Sequence, residues 1–472
     1  MNRKKIVNLI IGPALFALCL FLMPKNVFSG VEARGAVGVV LWLAYWWVTR
    51  PVDLAVTALI PIAANAFIAM APMDAVIANY SSETILLLLG SSILAVSLEL
   101  TGLDNRIAAK FLGIIGEQMR KQLIFWFILS ALLSAVLPNA VVCATITPIA
   151  VSMLKFVGES DIKNSRSGSK ILLYIAYGVG VGGLISPLGG AMNLVTVDYL
   201  QQITGKEFMY VSWVIRFLPI MIVLFAVNIV FMIRDVKKKD MLKGSRDYFR
   251  NEYKNMPPMR REEKQALVLF LVATVLAFTR PLYQNFLPGV KPAYIFISCA
   301  VLSFLITNKD KETVMKWKNV QGKIVWELIF VFAGGLAAGT LINKSGAADA
   351  IGSFVSQLGL KGGIMTVFAI VTVTLILSDV TSNTATASTA IPIVISIVTG
   401  LGLNPIPWVY IATIGVNLSY MLPTSIRAIP VGYGLEPRYM LKEGWKMSVL
   451  VIISMTAVAF LLLKFWPAFS TT

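Results

Sequence analysis

Residues 378–392 read Ser-Asp-Val-Thr-Ser-Asn-Thr-Ala-Thr-Ala-Ser-Thr-Ala-Ile-Pro, and they interrupt what would otherwise be one continuous apolar stretch. The runs on either side, Ile364 to Leu377 and Ile391 to Val398, are each too short to cross a bilayer, which takes about 20 apolar residues. The pattern predicts two half-length helices that meet at a polar tip within the membrane. Backbone groups at that depth have no water to bond, so the tip must line a cavity or be buried in protein. Eight of the twelve residues from Ser378 to Thr389 are Ser, Thr or Asn. These residues cap free backbone N–H groups and coordinate small ions. Packing between membrane helices, the other use of small polar residues, calls for fewer of them.

The rest of the 472-residue chain fits the same solvent. It is 57% hydrophobic and 14% charged, with a mean hydropathy of +0.77, less charge than a soluble protein of this length carries. Many runs of near-spanning length predict an all-α polytopic membrane protein whose partner is the lipid bilayer. The absence of histidine removes histidine ligands and histidine acid–base chemistry. Cys19, Cys143 and Cys299 lie far apart in apolar runs and form neither a disulfide framework nor a zinc spacing. The net charge of +17 does not indicate nucleic acid, because it sits in loops between apolar runs, where it orients a membrane protein.

Taken in order, Met1-Asn2-Arg3-Lys4-Lys5 precedes a first apolar helix at 6–23, read as retained with its N-terminus in the cytoplasm. Further spans are expected at 35–49, 52–72, 83–103, 210–233, 265–283, 291–307, 324–343 and 447–466. Residues 104–121 read as an amphipathic basic segment along the inner interface. The stretch 122–156 is broken by Leu137-Pro138-Asn139-Ala140. The stretch 170–200 is interrupted by six glycines and Pro187 between Gly178 and Gly190. Residues 406–434 form another broken span. Residues 234–264 hold eleven Lys or Arg against six acids and mark the cytoplasmic side. Eleven spans and two re-entrant hairpins then place the C-terminus outside, with the first hairpin opening to the cytoplasm and the second to the exterior.

The halves correspond at one offset. Glu83, Gly90, Gly102, Asn139, Thr145 and Pro148 precede Glu327, Gly334, Gly346, Asn383, Thr389 and Pro392 by 244 residues. Five equivalent spans per half is an odd number, so the halves insert upside down relative to each other. Inverted repeats with broken helices near the midplane are the pattern of secondary transporters, with the binding site where the repeats meet. Four interrupted segments should converge there, near Asn139, Asn383, 183–193 and 423–429. Half-helix N-termini suit anions, and unwound carbonyls suit sodium. There is no phosphate-binding loop with a lysine, so the driving force should be an ion gradient or exchange.

At these residues the chain resembles the divalent anion/sodium symporter family, which carries dicarboxylates, citrate or sulfate. Ser382-Asn383-Thr384, with Asp379 before it and Ala385-Thr386 after it, is similar to the family's Ser-Asn-Thr signature. Tyr45-Trp46-Trp47, residues 55–61 and residues 332–346 resemble further family segments, so the likeness covers nearly the whole chain. The resemblance implies a homodimer in which a transport domain slides as an elevator against a scaffold. On that scheme 1–121 and 265–361 supply scaffold helices, 122–233 and 362–472 supply transport segments, and 234–264 is the cytoplasmic loop. The chain departs from the family where Pro138-Asn139-Ala140 replaces the first Ser-Asn-Thr. It departs again where Gly189-Gly190-Ala191-Met192-Asn193 and Thr424-Ser425-Ile426-Arg427-Ala428 replace the usual Pro-Pro-Asn segments, and where Thr49-Arg50 replaces a Thr-Glu pair.

These readings give an expected site. Asn139, Ser382, Asn383, Thr384, Thr424, Ser425 and Arg427 are the candidate substrate contacts. Pro138, Asn139, Gly183, Gly189, Asp379, Thr381, Asn383 and Pro423 are the candidate ion contacts, with sodium as the candidate metal and coupling ion and no other cofactor. Arg427, between Pro423 and Pro430, either forks a carboxylate or oxyanion, pairs with Asp379, or snorkels to the interface. The expected activity is transport of a small divalent anion, with C4-dicarboxylates first and sulfate or another oxyanion second. A cation/proton antiporter using Asp379 is an alternative of the same superfamily. A membrane enzyme is disfavoured by the lack of a catalytic constellation. The departure at the first tip and the charge of Arg427 both predict weaker sodium dependence than the family norm.

Overall fold

The computed structural model describes residues 3–112, 116–356 and 362–472. Met1 and Asn2, residues 113–115 of the expected amphipathic segment, and the 357–361 boundary lie outside the described residues. Among those described, the secondary structure is helical, with two isolated β-bridges and no strand. Seven helices are long and apolar enough to cross a membrane: Lys5–Leu22, Met73–Thr101, Asn139–Phe156, Tyr210–Ile233, Trp326–Lys344, Asn383–Gly400 and Pro437–Phe465. Shorter apolar helices occupy Leu54–Phe67, Pro292–Ser303 and Ile364–Val380. Large apolar side chains lie open on the outside, Phe21, Phe67 and Ile453 among them, as the lipid-facing surface of a multi-pass membrane protein requires.

Two expected spans are not single helices; 265–283 divides at Thr279 into Arg261–Phe278 and Arg280–Tyr283. Residues 52–72 were to cross in one piece; instead the chain folds into Leu54–Thr57, Ile60–Phe67 and Met73–Ala78. Pro61 and Pro72 open the second and third pieces, because a proline is accommodated in a first turn but cannot continue a helix. The Asn65 side chain closes the intervening turn, donating to the Ala71 carbonyl at 2.9 Å and accepting from the Ala71 amide at 3.0 Å.

The repeat is visible element by element. Glu83–Thr101 and Trp326–Lys344 correspond, as do Leu103–Leu112 and Ala347–Ser356, Met119–Ser134 and Ile364–Val380, and Asn139–Phe156 and Asn383–Gly400. Gly102 and Gly346, 244 residues apart, both have φ of +78°, the left-handed geometry that ends a helix without a Cβ clash. The segment expected along the interface is the Leu103–Leu112 helix, and it is docked: buried Asp104 accepts from the Thr145 hydroxyl on the first hairpin at 3.0 Å.

The hairpins open toward opposite ends of the molecule. At the base of the first, the Met119 amide donates to Asp240 in the 234–264 segment at 2.9 Å. At the base of the second, the Asn404 amide donates to Ser470 near the C-terminus at 2.8 Å. The 29-residue helix Pro437–Phe465 links these ends. It is ion-paired to Arg234 through Glu443 near its start and would span about 44 Å at 1.5 Å per residue. The helix Arg166–Gly183 packs backbone to backbone on the first hairpin. A Cβ on Gly182 would lie 2.2 Å from the Ala131 carbonyl oxygen, and one on Gly178 would lie 2.4 Å from that of Phe127. This contact sets the depth at which the hairpin tip meets the helix break.

Candidate functional site

Both hairpin tips are built around the same hydrogen bond. In the second, Ser378 Oγ donates to Asn383 Oδ1 at 2.9 Å; in the first, Ser134 Oγ donates to Asn139 Oδ1 at 2.5 Å. Asn383 also accepts from Ser419 Oγ at 3.2 Å and donates to the Asn417 carbonyl at 3.4 Å. Ser382 caps the returning helix by accepting from the Ala385 amide at 3.2 Å. The first tip has Pro138 in that capping place and no side-chain cap. The two tips therefore differ in the donors and acceptors they hold around the same asparagine.

Two broken helices face the tips. Arg166–Gly183 gives way to a turn at Pro187–Gly189 before Ala191–Thr204 begins. Asn193 ties the break, donating to the carbonyls of Gly183 at 2.6 Å and Ser186 at 2.8 Å. Its Oδ1 accepts from Asn417 Nδ2 at 2.9 Å, and Asn417 is the last residue of Pro405–Asn417. The paired hydroxyls of Thr196 and Thr413, 2.8 Å apart, lie on the same two helices. The two breaks are thus joined by side-chain amides, which satisfy backbone groups that an interrupted helix leaves free.

The second break is held by two buried charges. Asp379 Oδ1 accepts from the amides of Tyr420 and Met421, both at 2.8 Å. Arg427 donates from Nε to the Leu422 carbonyl at 3.0 Å, from Nη1 to the Ser419 carbonyl at 3.1 Å and from Nη2 to Thr424 Oγ1 at 2.9 Å. Thr424 Oγ1 in turn donates to the Asp379 carbonyl at 2.9 Å. The carboxylate takes N–H groups of the loop and the guanidinium takes two of its carbonyls and the Thr424 hydroxyl, a use of charge that is strong where water is excluded. Among the described residues Arg427 forms no ion pair with Asp379 or any other carboxylate. The expected pairing is corrected: the two charges act through the backbone between them. Snorkelling is corrected too, since Arg427 is 1% exposed.

A cavity of about 540 Å³ lies in front of the tips. Pro138 and Asn139 of the first tip and Ser382, Asn383 and Thr384 of the second line it, together with Pro423, Thr424 and Ser425 of the second break. Its other wall carries Arg50, Glu99, Lys323 and Glu327, with Glu99 and Lys323 ion-paired. Four of the expected residues lie behind this surface. Gly183 and Gly189 are packing positions: a Cβ on Gly183 would lie 2.6 Å from the Asn139 amide nitrogen, and one on Gly189 would lie 2.4 Å from the Gly183 carbonyl. Asp379 and Arg427 hold the loop. Thr381 turns away, its hydroxyl 2.6 Å from that of Thr386, and both threonines border a separate apolar cavity of about 400 Å³ against Val40 and Trp47.

Sequence reading had not singled out Ser134, Asn193, Asn417 or Ser419 as site residues. Ser134 and Ser378 are 244 residues apart, so the repeat offset could have found that pair. The contacts of Asn193, Asn417 and Ser419 join distant segments and leave no local pattern. Two buried oxygens near the second tip, Asp379 Oδ2 and Asn417 Oδ1, have no hydrogen-bond partner among the described residues. They are acceptors free for a cation or for water.

A family profile described as citrate transporter matches residues 44–415. The sodium-dependent dicarboxylate transporter SdcS of Staphylococcus saprophyticus is 29% identical over 481 aligned residues, covering 98% of this chain and 92% of the relative. SdcS of Staphylococcus aureus is 27% identical over 478, covering 97% and 91%. Among solved structures, the YdaH transporter of Alcanivorax borkumensis superposes with a TM-score of 0.53 at 12% identity, covering 83% of this chain and 88% of that one. That last likeness is one of fold.

Proposed function

The chain belongs to the citrate transporter family, and from that membership and the chemistry of its cavity we propose that it is a secondary transporter of small dianions, C4-dicarboxylates first. The observation that carries the reading is the convergence of Asn139 with Ser382, Asn383 and Thr384 on one cavity. Amides and hydroxyls at helix N-termini there offer donors to a carboxylate. The names of the Staphylococcus relatives support dicarboxylate as the substrate class and sodium as the coupling ion. The oxygens of Asp379 on the second hairpin and Asn417 at the second break, unpartnered among the described residues, offer a cation side-chain ligands.

In this reading the hairpins and broken helices move as a transport domain against a scaffold formed by 1–121 and 265–361, in a homodimer. The loop 234–264 is cytoplasmic and the C-terminus external, so the cavity, which borders Lys323 beside the basic segment 309–323, opens inward. Uptake of labelled succinate, citrate and sulfate into proteoliposomes, with and without a sodium gradient, tests the proposal. Sodium-stimulated succinate uptake is expected. Uptake of sulfate alone would move the substrate class to oxyanions, and absence of uptake for all three would overturn the reading.

A further inference from the structure

The hairpin tips bring no charge to the cavity: Asn139, Ser382, Asn383 and Thr384 are neutral, and the guanidinium of Arg427 is spent on the loop behind them. A dianion held there needs a cation or another source of positive potential. Two basic side chains line the cavity. Lys323 is paired with Glu99. Arg50 makes no side-chain hydrogen bond or ion pair among the described residues, and it is exposed to the cavity it lines.

The backbone at Arg50 adds a second observation. The helix Val31–Thr49 ends there with φ 46° and ψ 51° at Arg50, whose amide donates to the Trp46 carbonyl at 2.8 Å. That is the left-handed region, which non-glycine residues rarely occupy and in which a helix end favours Gly or Asn. Pro51 follows, and a residue before proline is ordinarily extended. An arginine is therefore kept where the local geometry prefers another residue, and outliers of this kind cluster at ligand sites.

We propose that Arg50 is a substrate contact of this transporter, forking one carboxylate of the dianion from the wall opposite the hairpin tips while the cavity is open on this side. The inference rests on the transport reading. It has a consequence that the tips do not share. Arg50 belongs to the wall formed by the Val31–Thr49 helix, so its contact with a substrate carried by the hairpins exists only at this face of the membrane. Glu327, on the same wall and in no ion pair among the described residues, opposes it. The substrate carboxylate thus meets an attractive and a repulsive charge whose balance sets affinity on one side.

The experiment measures half-saturating succinate from each face in proteoliposomes of defined orientation. It is paired with the succinate-, citrate- and sulfate-dependent shift of thermal unfolding in detergent. Arg50→Gln is expected to raise the half-saturating concentration about tenfold or more on the side of the 234–264 loop and to leave the other side unchanged. Arg50→Gly, which relieves the backbone, should lose affinity as Arg50→Gln does. Arg50→Lys should lose less, and Glu327→Gln should gain affinity on the same face. Unchanged affinity on both faces in Arg50→Gln overturns the inference while transport stands, as does an equal loss on both faces. If the wild type transports none of the three anions, the transport reading fails by itself. The thermal shift then decides Arg50: a shift kept in full by Arg50→Gln, or absent from the wild type, overturns the role proposed here.

Discussion

Ser378 donates its hydroxyl to Asn383 Oδ1 at 2.9 Å, and 244 residues earlier Ser134 makes the same bond to Asn139. The serine lies in the last turn of one helix of each hairpin and the asparagine begins the other, so the bond fixes which way the asparagine amide points. With Oδ1 held by the serine, Nδ2 is the donor end of each amide; in Asn383 one of its two hydrogens goes to the Asn417 carbonyl at 3.4 Å and the other is left for a ligand. Asn383→Ala and Asn139→Ala are each expected to abolish anion uptake with folding retained, measured as uptake rate beside thermal unfolding. Ser378→Ala and Ser134→Ala should weaken uptake less, because they free the amide to rotate without removing it. Normal uptake in both asparagine variants would mean that the bond only closes the hairpin.

The 234–264 segment and the C-terminus lie at opposite ends of the Pro437–Phe465 helix, and the proposed orientation, which rests on the basic excess of 234–264, puts the first in the cytoplasm. The three native cysteines are buried, so an introduced thiol reports without much background. Arg250→Cys, at an exposed position, should resist an impermeant maleimide added to intact cells, and Thr472→Cys should react. The reverse pattern would invert the topology and turn the cavity outward.

How much of this was legible in the chain depends on whether a feature is local or distant. The polar tips were legible as breaks between helices, but the expected half-length arms are corrected: Asn139–Phe156 and Asn383–Gly400 are 18 residues each and long and apolar enough to cross a membrane, because the residues after each asparagine continue the helix. The helix bounds Asn139–Phe156 and Asn383–Gly400 kept the offset seen in Asn139 and Asn383. The break of 52–72 was written in Pro61 and Pro72 and was outweighed by hydropathy, which does not register prolines. Arg427 was legible as a charge at the second break, but its partners were not, for a different reason. Sequence gives the depth of a charge but not its direction, and Asp379 was near it only in the sense that both sit by the second tip. That each charge would bind the backbone of 419–422 depended on a loop path no periodicity records. Arg50 was noticed as a departure from a family pattern, but its place on the cavity wall required the fold.

Asp379 separates structure from coupling. Its Oδ1 takes two backbone amides at 2.8 Å, while Oδ2 is buried without a partner. Asp379→Asn keeps an acceptor for the amides and removes the charge, so the hairpin should fold. If Oδ2 helps hold sodium, the variant should need about tenfold more sodium for half-maximal uptake, since a charged contact is worth about 1.5–3 kcal/mol. An unchanged sodium requirement would exclude Asp379 from the ion site. Sodium-independent uptake in the wild type that Asp379→Asn leaves intact would favour exchange.

Arg427 is expected to behave as a structural residue. Removing its fork in Arg427→Ala leaves the Ser419 carbonyl without a donor among the described residues, while the Leu422 carbonyl keeps the Thr424 amide at 2.8 Å and loses its charged donor. A buried orphan costs about 1–3 kcal/mol, and the lost bonds to the Leu422 carbonyl and the Thr424 hydroxyl add to it, so the variant should melt at clearly lower temperature. Arg427→Lys keeps the charge but cannot span three acceptors with one ammonium, and should recover only part of the loss. The half-saturating succinate concentration of whatever folded protein remains should stay near that of the wild type, because the guanidinium does not line the cavity. The decisive comparison is between the two readouts. A large rise in half-saturation with an unaltered melting temperature would mean that Arg427 reaches the substrate during the transport cycle and that its bonds to the loop are released to let it do so.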